Sequence, residues 1–465
     1  MRALWQTMLA GAALAAVVMA IIMMVMNFGV MGLAAIAGMT LAAVCVTLHP
    51  LVPFTLYFGT LFFTETSIPG VPVTANQVLG ILFLASWFSW HLRGKTMSIR
   101  SGFLWLLGFV ALYFALNGAA GENTARGLVH ARYVVIYFAM ACCLASSLTT
   151  ERTVMALAWI ITLLTLGGGC AGLAEAAEKN TFALLLAGGV NHAARIRGAA
   201  PNPVVFAWQM LYGFPFAFYI YAQSRNAAAR GFALAAGFFL MLVAILTFNR
   251  QTFILIVLLL AVCALLYAYP NRKMFLAMLA AVIAVVAATI LPFIIQRMFT
   301  VTELGRDISF LERYDSLLLG LEMFRAHPVI GVGLGSFPAV WGNYIPPDYS
   351  TYYMQFTERS RLKYPDFGWL ALLSETGLAG IVLCAGLFGA IAARAWRARR
   401  WATARKDFFV YNLSATLLTL LIFIVITTAI QDTFLYVRVW MVFGLALLMD
   451  RHILLPAGSE PADAM

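Results

Sequence analysis

Apolar runs of about 20 residues, the length that crosses ~30 Å of hydrocarbon, follow one another along most of the 465-residue chain, divided by short polar connections. The pattern predicts helices at 8–26, 28–47, 49–63, 75–92, 101–117, 129–148, 151–173, 203–222, 229–247, 250–268, 273–294, 366–393, 407–430 and 433–450. The second and third also read as one broken helix with a re-entrant piece, so the expected fold is an all-α polytopic membrane protein of 12–14 transmembrane helices. A short apolar segment, 181–190, is expected at the membrane interface. One stretch breaks the rhythm: 295–365 is too long for a connector and is expected as a large, partly helical external loop. The expected division is a bundle at 1–294, the loop at 295–365, C-terminal helices at 366–450 and a short cytoplasmic tail at 451–465.

The loop has its own signals. Glu312 to Ala326 reads as an amphipathic helix with Leu317, Leu318, Leu321 and Phe324 on its apolar stripe. Pro328 stops it, and Gly331-Val332-Gly333-Leu334-Gly335 follows as a flexible turn. No strand precedes these glycines, so they are not a nucleotide fingerprint. Trp341, Tyr344, Pro346, Pro347, Tyr349, Tyr352 and Tyr353 come next, a cluster suited equally to stacking on sugar rings and to a membrane interface.

Composition agrees with a membrane protein: 63% of residues are hydrophobic and 11% charged, against roughly half and a quarter in soluble domains. The run from Ala10 to Val25 has the look of a signal peptide but reads as the first span, since no polar mature domain follows. The six cysteines (Cys45, Cys142, Cys143, Cys170, Cys263 and Cys384) all fall in apolar segments and are expected as buried small hydrophobes. The net charge of +11 is explained without nucleic acid, by basic loops facing the cytoplasm and its anionic lipids. With 14 spans, the connections holding Arg93, Lys95 and Arg100, Arg225 and Arg230, Arg272 and Lys273, and Arg394 to Lys406 fall on one side with Arg2 and Arg451. That side is expected to be cytoplasmic in a bacterial inner membrane. Connections 64–74, 118–128, 174–202, 248–249, 295–365 and 431–432 are then expected outside, with the large loop periplasmic.

The outside face carries the candidate chemistry. Arg195 and Arg197 precede Pro201-Asn202-Pro203 at a span start, Arg250 lies in a tight turn between two apolar helices, and Arg313 lies in the loop helix. A charge in such a turn is a functional-site hypothesis by default. Arginine offers a planar fork of donors and stays charged. Several arginines beside a wide apolar body fit the diphosphate of a lipid-linked donor, whose tail would lie between helices. Displacing a sugar from a diphosphate builds negative charge that fixed cations stabilise, and a base must take the attacking hydroxyl's proton. Asp366 in Tyr364-Pro365-Asp366-Phe367-Gly368-Trp369 is the candidate base, with His327 and Tyr364 as loop or acceptor support. Glu375 reads as a structural hydrogen bond or ion pair, with Arg438 as a possible partner, and Gly377 and Gly380 as a close helix approach. There is no Asp-x-Asp, and His192 and His327 are far apart, so neither metal nor cofactor is expected.

These residues together resemble the bacterial O-antigen ligase and O-antigen polymerase superfamily, best over 190–395. The resemblance rests on the Arg195–Pro203 stretch and the Thr247–Arg250 hairpin. It rests also on Arg313 followed by His327-Pro-Val-Ile-Gly-Val-Gly-Leu-Gly-Ser-Phe337, and on Leu370 through Glu375, Gly377 and Gly380. It implies a metal-independent, inverting glycosyltransferase that uses an undecaprenyl-diphosphate-linked glycan, with a glycan or lipid A-core acceptor and other polysaccharide assembly proteins as partners. Ligases of the family carry His-Asn where this chain has Asp366-Phe367. That departure favours polymerisation of O-antigen, capsule or exopolysaccharide repeats over ligation to lipid A-core. A lipid-linked glycan transporter and a non-catalytic export scaffold are the rivals from other classes.

Overall fold

The computed structural model describes residues 49–60, 75–96, 101–181, 195–198, 200, 202–267, 280, 284, 308–345, 367–430 and 436–454. Among them there is no strand, and seven helices are long and apolar enough to cross a membrane. The chain is thus an all-α polytopic membrane protein. The expected spans 8–26 and 28–47, nearly all of 273–294, and the segment 182–190 lie outside the described residues.

Two compact units are resolved. In the smaller, α1 (Leu51–Thr60) packs on α2 (Ala75–Leu92), with Phe54 and Phe83 in ring contact. The larger begins with the pair α3 (Gly102–Ala119) and α4 (Thr124–Ser147), continues through α5 (Glu151–Glu178), α6 (Pro203–Gln223), α7 (Ala227–Ile245) and α8 (Arg250–Leu266), and then enters the loop helix α9 (Ile308–Ala326). A short α10 (Phe337–Val340) and a 3-10 turn at Trp341–Tyr344 lead towards the final helices α11 (Gly368–Arg405), α12 (Phe408–Ile430) and α13 (Val437–Leu454).

α6 is the centre of this unit: every residue from Val205 to Tyr221 is buried. It is apolar on all faces, as a helix ringed by others must be. Asn202 caps it by accepting from Val205 N at 2.8 Å, and Pro203 starts it where a missing N–H costs nothing. The Tyr267 hydroxyl holds it from α8's end, 3.0 Å from Pro215 O and 2.9 Å from Thr416 Oγ1 of α12.

Connections expected on the same side do meet. At one end of the bundle Ser101, the cap of α3, bonds to Asp450 of α13, which also pairs with Arg394 of α11 (Nε–Oδ1 3.0 Å). At the other end the α3–α4 turn meets the segment after α9. Several boundaries differ from expectation. α4 begins at Thr124 rather than 129, because Asn123 caps Arg126 N (3.1 Å) straight after a tight turn. α11 runs to Arg405 rather than 393, so Arg394, Arg397, Arg399, Arg400 and Arg405 lie on helix, not in a loop. Its Ala- and Arg-rich tail favours helix, and Lys406 ends it in a left-handed cap (φ 55°). Cys142 is partly buried and Cys170 exposed, against the expectation of burial for all six; Cys143, Cys263 and Cys384 are buried as expected.

The loop helix starts four residues earlier than read from the sequence. Its buried stripe is Asp315, Ser316, Leu319, Gly320 and Met323 rather than Leu317, Leu318, Leu321 and Phe324. The cause is Gly320, which lets Leu370 of α11 sit against the backbone and turns that face inward. Leu319 and Met323 join Val332, Phe337, Val340 and Trp341 in one small core.

Candidate functional site

Two constructions lie at the end of the bundle that carries the candidate residues. The first is built on the end of α5. Glu175 Oε2 accepts from the backbone N–H groups of Arg197 (2.8 Å) and Gly198 (2.6 Å), while Glu175 Oε1 pairs with Lys179 (2.7 Å). Lys179 Nζ in turn donates to Arg195 O at 3.0 Å. Segment 195–198 is therefore pinned at three backbone atoms. Gly198 has φ 53° and Phe206 fills the space a Cβ would need, so the segment turns there only with glycine. Ile196 is buried, which leaves Arg195 half-buried and Arg197 exposed on either side of it.

Arg195 Nε donates to Thr247 O at 3.0 Å, at the turn between α7 and α8. This turn is compact because Phe248, a buried aromatic, takes a left-handed backbone (φ 49°). Asn249 Oδ1 then accepts from Gln251 N (3.2 Å) and starts α8, with Arg250 as its first residue. Arg250's side chain lies outside the described residues, but its backbone position puts it on the turn that Arg195 reaches. Two of the four sequence features are thus joined. Arg197 enters through its backbone N–H, and Arg313 is exposed on α9. Asp366 and Tyr364 lie outside the described residues; α11 begins at Gly368.

The second construction is a broken helix. α11 departs from helical geometry at Gly377 (φ 64°, ψ −167°). Each half-helix then has orphan backbone groups, and the segment after α9 supplies their partners. Leu378 N and Ala379 N donate to Pro328 O (2.9 Å) and Val329 O (3.1 Å), while Ser374 O and Glu375 O accept from Val332 N (3.0 Å) and Gly333 N (2.8 Å). Gly331 (φ 68°) and Gly377 lie so close to the opposing backbone that a Cβ on either would strike it. The glycine run expected to be flexible is instead fixed. Gly377 serves this insertion, and Gly380 packs on its own Thr376 side chain, rather than either opening a helix–helix approach.

Side chains from α3 lock the insertion. Asn117 Nδ2 donates to Ile330 O (2.6 Å), its Oδ1 accepts from Leu334 N (2.8 Å), and the Tyr113 hydroxyl donates to Thr376 O (2.7 Å). Glu122 N donates to Val332 O at 2.9 Å. Glu375, 3% exposed, accepts from Phe337 N through Oε1 (3.0 Å) and so tethers α10. This is the structural hydrogen bond read from the sequence, made to the loop. The Arg438 guanidinium lies over the Tyr436 ring, 5.9 Å from its centroid, and the Arg438 carbonyl accepts from the Tyr212 hydroxyl (3.0 Å). His327 Nε2 lies 3.1 Å from Glu122 Oε1, and the Tyr344 hydroxyl bonds the same carboxylate. Burial first, and then that carboxylate, push the Tyr344 phenol above its ordinary range.

Sequence reasoning missed Glu122, Asn117, Tyr113, Glu175 and Lys179. Glu175 and Lys179 had a usable signal, an acid and a base four apart at the end of an apolar span. Asn117 and Tyr113 had none, because their partners lie more than 200 residues away. Among the described residues no group of three or more His, Cys, Asp or Glu side chains is arranged to hold a metal ion.

Residues 232–385 match the family model described as O-antigen ligase. The matched stretch contains the Thr247–Arg250 turn, α9, the glycine-rich insertion and the break in α11; Arg195, Arg197 and Glu175 precede it. No curated protein matches the chain. The match supports the resemblance to the O-antigen ligase and polymerase superfamily and, with it, an enzyme of glycosyltransferase type in a multi-pass membrane protein.

Proposed function

We propose that this chain is a periplasmic-face glycosyltransferase that polymerises undecaprenyl-diphosphate-linked oligosaccharide repeat units. One observation carries the reading. Arg195 is pinned by α5 and delivered to the Thr247–Arg250 turn, inside the O-antigen ligase match. Arg195 held at a turn on which Arg250 opens the next helix, at the outer end of an apolar bundle, suits a diphosphate whose polyprenyl tail lies in the membrane.

In the proposed reaction an acceptor sugar hydroxyl attacks the anomeric carbon of the donor glycan. The bond from that carbon to the diphosphate oxygen breaks, and its electron pair leaves with the diphosphate. Arg195, Arg250 and, from the loop, Arg313 offset the charge that builds there. Asp366 takes the hydroxyl proton. One displacement with one base inverts the anomeric centre. Arg197 flanks the diphosphate, while His327 and Glu375 support the loop. Transfer to lipid A-core is the second reading, favoured by the description of the matched family as O-antigen ligase. The broken helix α11 does not favour a transporter, because its break is filled by the chain's own backbone rather than left to a solute.

The test is reconstitution of the purified protein with the native lipid-linked repeat unit and no other acceptor, reading product length on a gel. A ladder of longer lipid-linked glycans, lost in Arg250→Ala and Asp366→Ala, is the expected result. Transfer only after lipid A-core is added would make the protein a ligase. No transfer in either case, from folded protein, would return the assignment to the transporter or scaffold.

A further inference from the structure

In this chain a helical threonine hydroxyl ordinarily finds the carbonyl four residues back. Thr162, Thr165, Thr376, Thr416, Thr419 and Thr427 all do so, at 2.6–2.9 Å. Thr252, in the first turn of α8, does not: it is fully buried, and its Oγ1 has no hydrogen-bond partner among the described residues. The residue four back is Phe248, whose left-handed backbone takes that carbonyl out of the helical series.

Asn249 shows the same anomaly. Its Oδ1 accepts from Gln251 N, so the oxygen side of the amide belongs to the helix cap and Nδ2 is turned away from it. Nδ2 has no partner among the described residues, although the residue is only 8% exposed. Asp or Ser caps a helix as well as Asn does, without leaving a buried amide group unpaired. Such groups are rare in folded proteins and ask for an explanation. Both orphan atoms flank Arg250 at the start of a 17-residue helix, whose N-terminal end favours anions. Arg195 reaches Thr247 on the same turn.

We infer that Asn249 is a diphosphate-contacting residue, its Nδ2 donating to a phosphoryl oxygen with the Thr252 hydroxyl as a second donor. The inference rests on the proposed reading that this turn receives the diphosphate. It adds two neutral donors to the arginines and gives α8's first turn a chemical reason for its choice of Asn over Asp.

The experiment measures binding of sugar-free polyprenyl diphosphate to the full-length protein in nanodiscs. Asn249→Asp keeps a side chain that caps α8 but replaces the donor with a second anion, and is expected to weaken binding about tenfold or more. Thr252→Val, of nearly the same shape, is expected to weaken it about threefold. Thr252→Ser, which keeps the hydroxyl, is expected to restore it. Wild-type affinity in Asn249→Asp alongside loss in Arg250→Ala would overturn the inference and leave the diphosphate reading standing. Wild-type affinity in Arg250→Ala as well would remove that reading and the inference with it. If Asn249→Asp does not fold, Thr252→Val decides, and unchanged affinity there overturns the proposal.

Discussion

Glu375 is a buried carboxylate with a bond to the loop. It lies nine residues after Asp366 within an apolar helix, where a charge invites a catalytic reading. Its Oε1 instead accepts from Phe337 N and holds α10 in place. The isosteric amide can do the same. Glu375→Gln is therefore expected to fold and to keep transfer activity within about threefold, the loss of a charge-assisted bond being partly made up by a neutral one. Glu375→Ala leaves the Phe337 amide buried without that acceptor and is expected to lower the thermal midpoint and release the loop to proteolysis. An inactive but normally folded Glu375→Gln would give Glu375 a catalytic role instead. Asn117 belongs to the same scale. Its amide makes two bonds to the inserted segment, each worth about 1 kcal/mol. Asn117→Ala is expected to cost about 2 kcal/mol, seen as a lower melting temperature in detergent. An unchanged melting temperature would mean that Tyr113 and Glu122 hold the insertion without it.

At the scale of elements, the helices were legible and their interruptions were not. Apolar length sets a span, and that signal is in the composition of each segment, so α2, α3, α5, α6, α7, α8 and α12 lie close to where periodicity puts them. The break at Gly377 depends on a partner segment nearly 50 residues earlier, and a single glycine in an apolar run gives no sign of it. The same holds for the buried stripe of α9, which Gly320 decides by admitting Leu370. The arginine cluster was half legible. Arg195 and Arg250 were both visible as cations in unusual places, but the contact of Arg195 with the Thr247 carbonyl depends on α5, whose end, through Glu175 and the following Lys179, fixes the backbone of 195–198. If α5 sets Arg195 in advance, the cost of ordering that segment is met before the donor arrives. Glu175→Ala is then expected to raise the donor KM about tenfold while kcat stays within about twofold, with Glu175→Asp recovering part of the loss. A fall in kcat with unchanged KM would place Glu175 in the chemical step instead.

At the scale of the molecule, a lipid-linked donor is called for only if the candidate turn lies at the end of the bundle that faces away from the cytoplasm and its nucleotide-activated sugars. Charge counting assigned the ends, and the structure supports the pairing of connections that this assignment requires. Ser101, Arg394 and Asp450 meet at one end, and Glu122, His327 and the break in α11 at the other. Such meetings fix which connections share a side; the identity of each side rests on the excess of arginine and lysine near Ser101 and after Arg394. Single cysteines resolve it. In a protein freed of its own cysteines, Ala125→Cys and Ala404→Cys place exposed thiols at opposite ends of the bundle. A membrane-impermeant maleimide added to intact spheroplasts is expected to label position 125 and to reach position 404 only after permeabilisation. The reverse pattern would place the Arg195–Arg250 turn in the cytoplasm. A soluble nucleotide donor would then compete with the lipid-linked one, and two arginines at a helix turn would no longer single out the lipid.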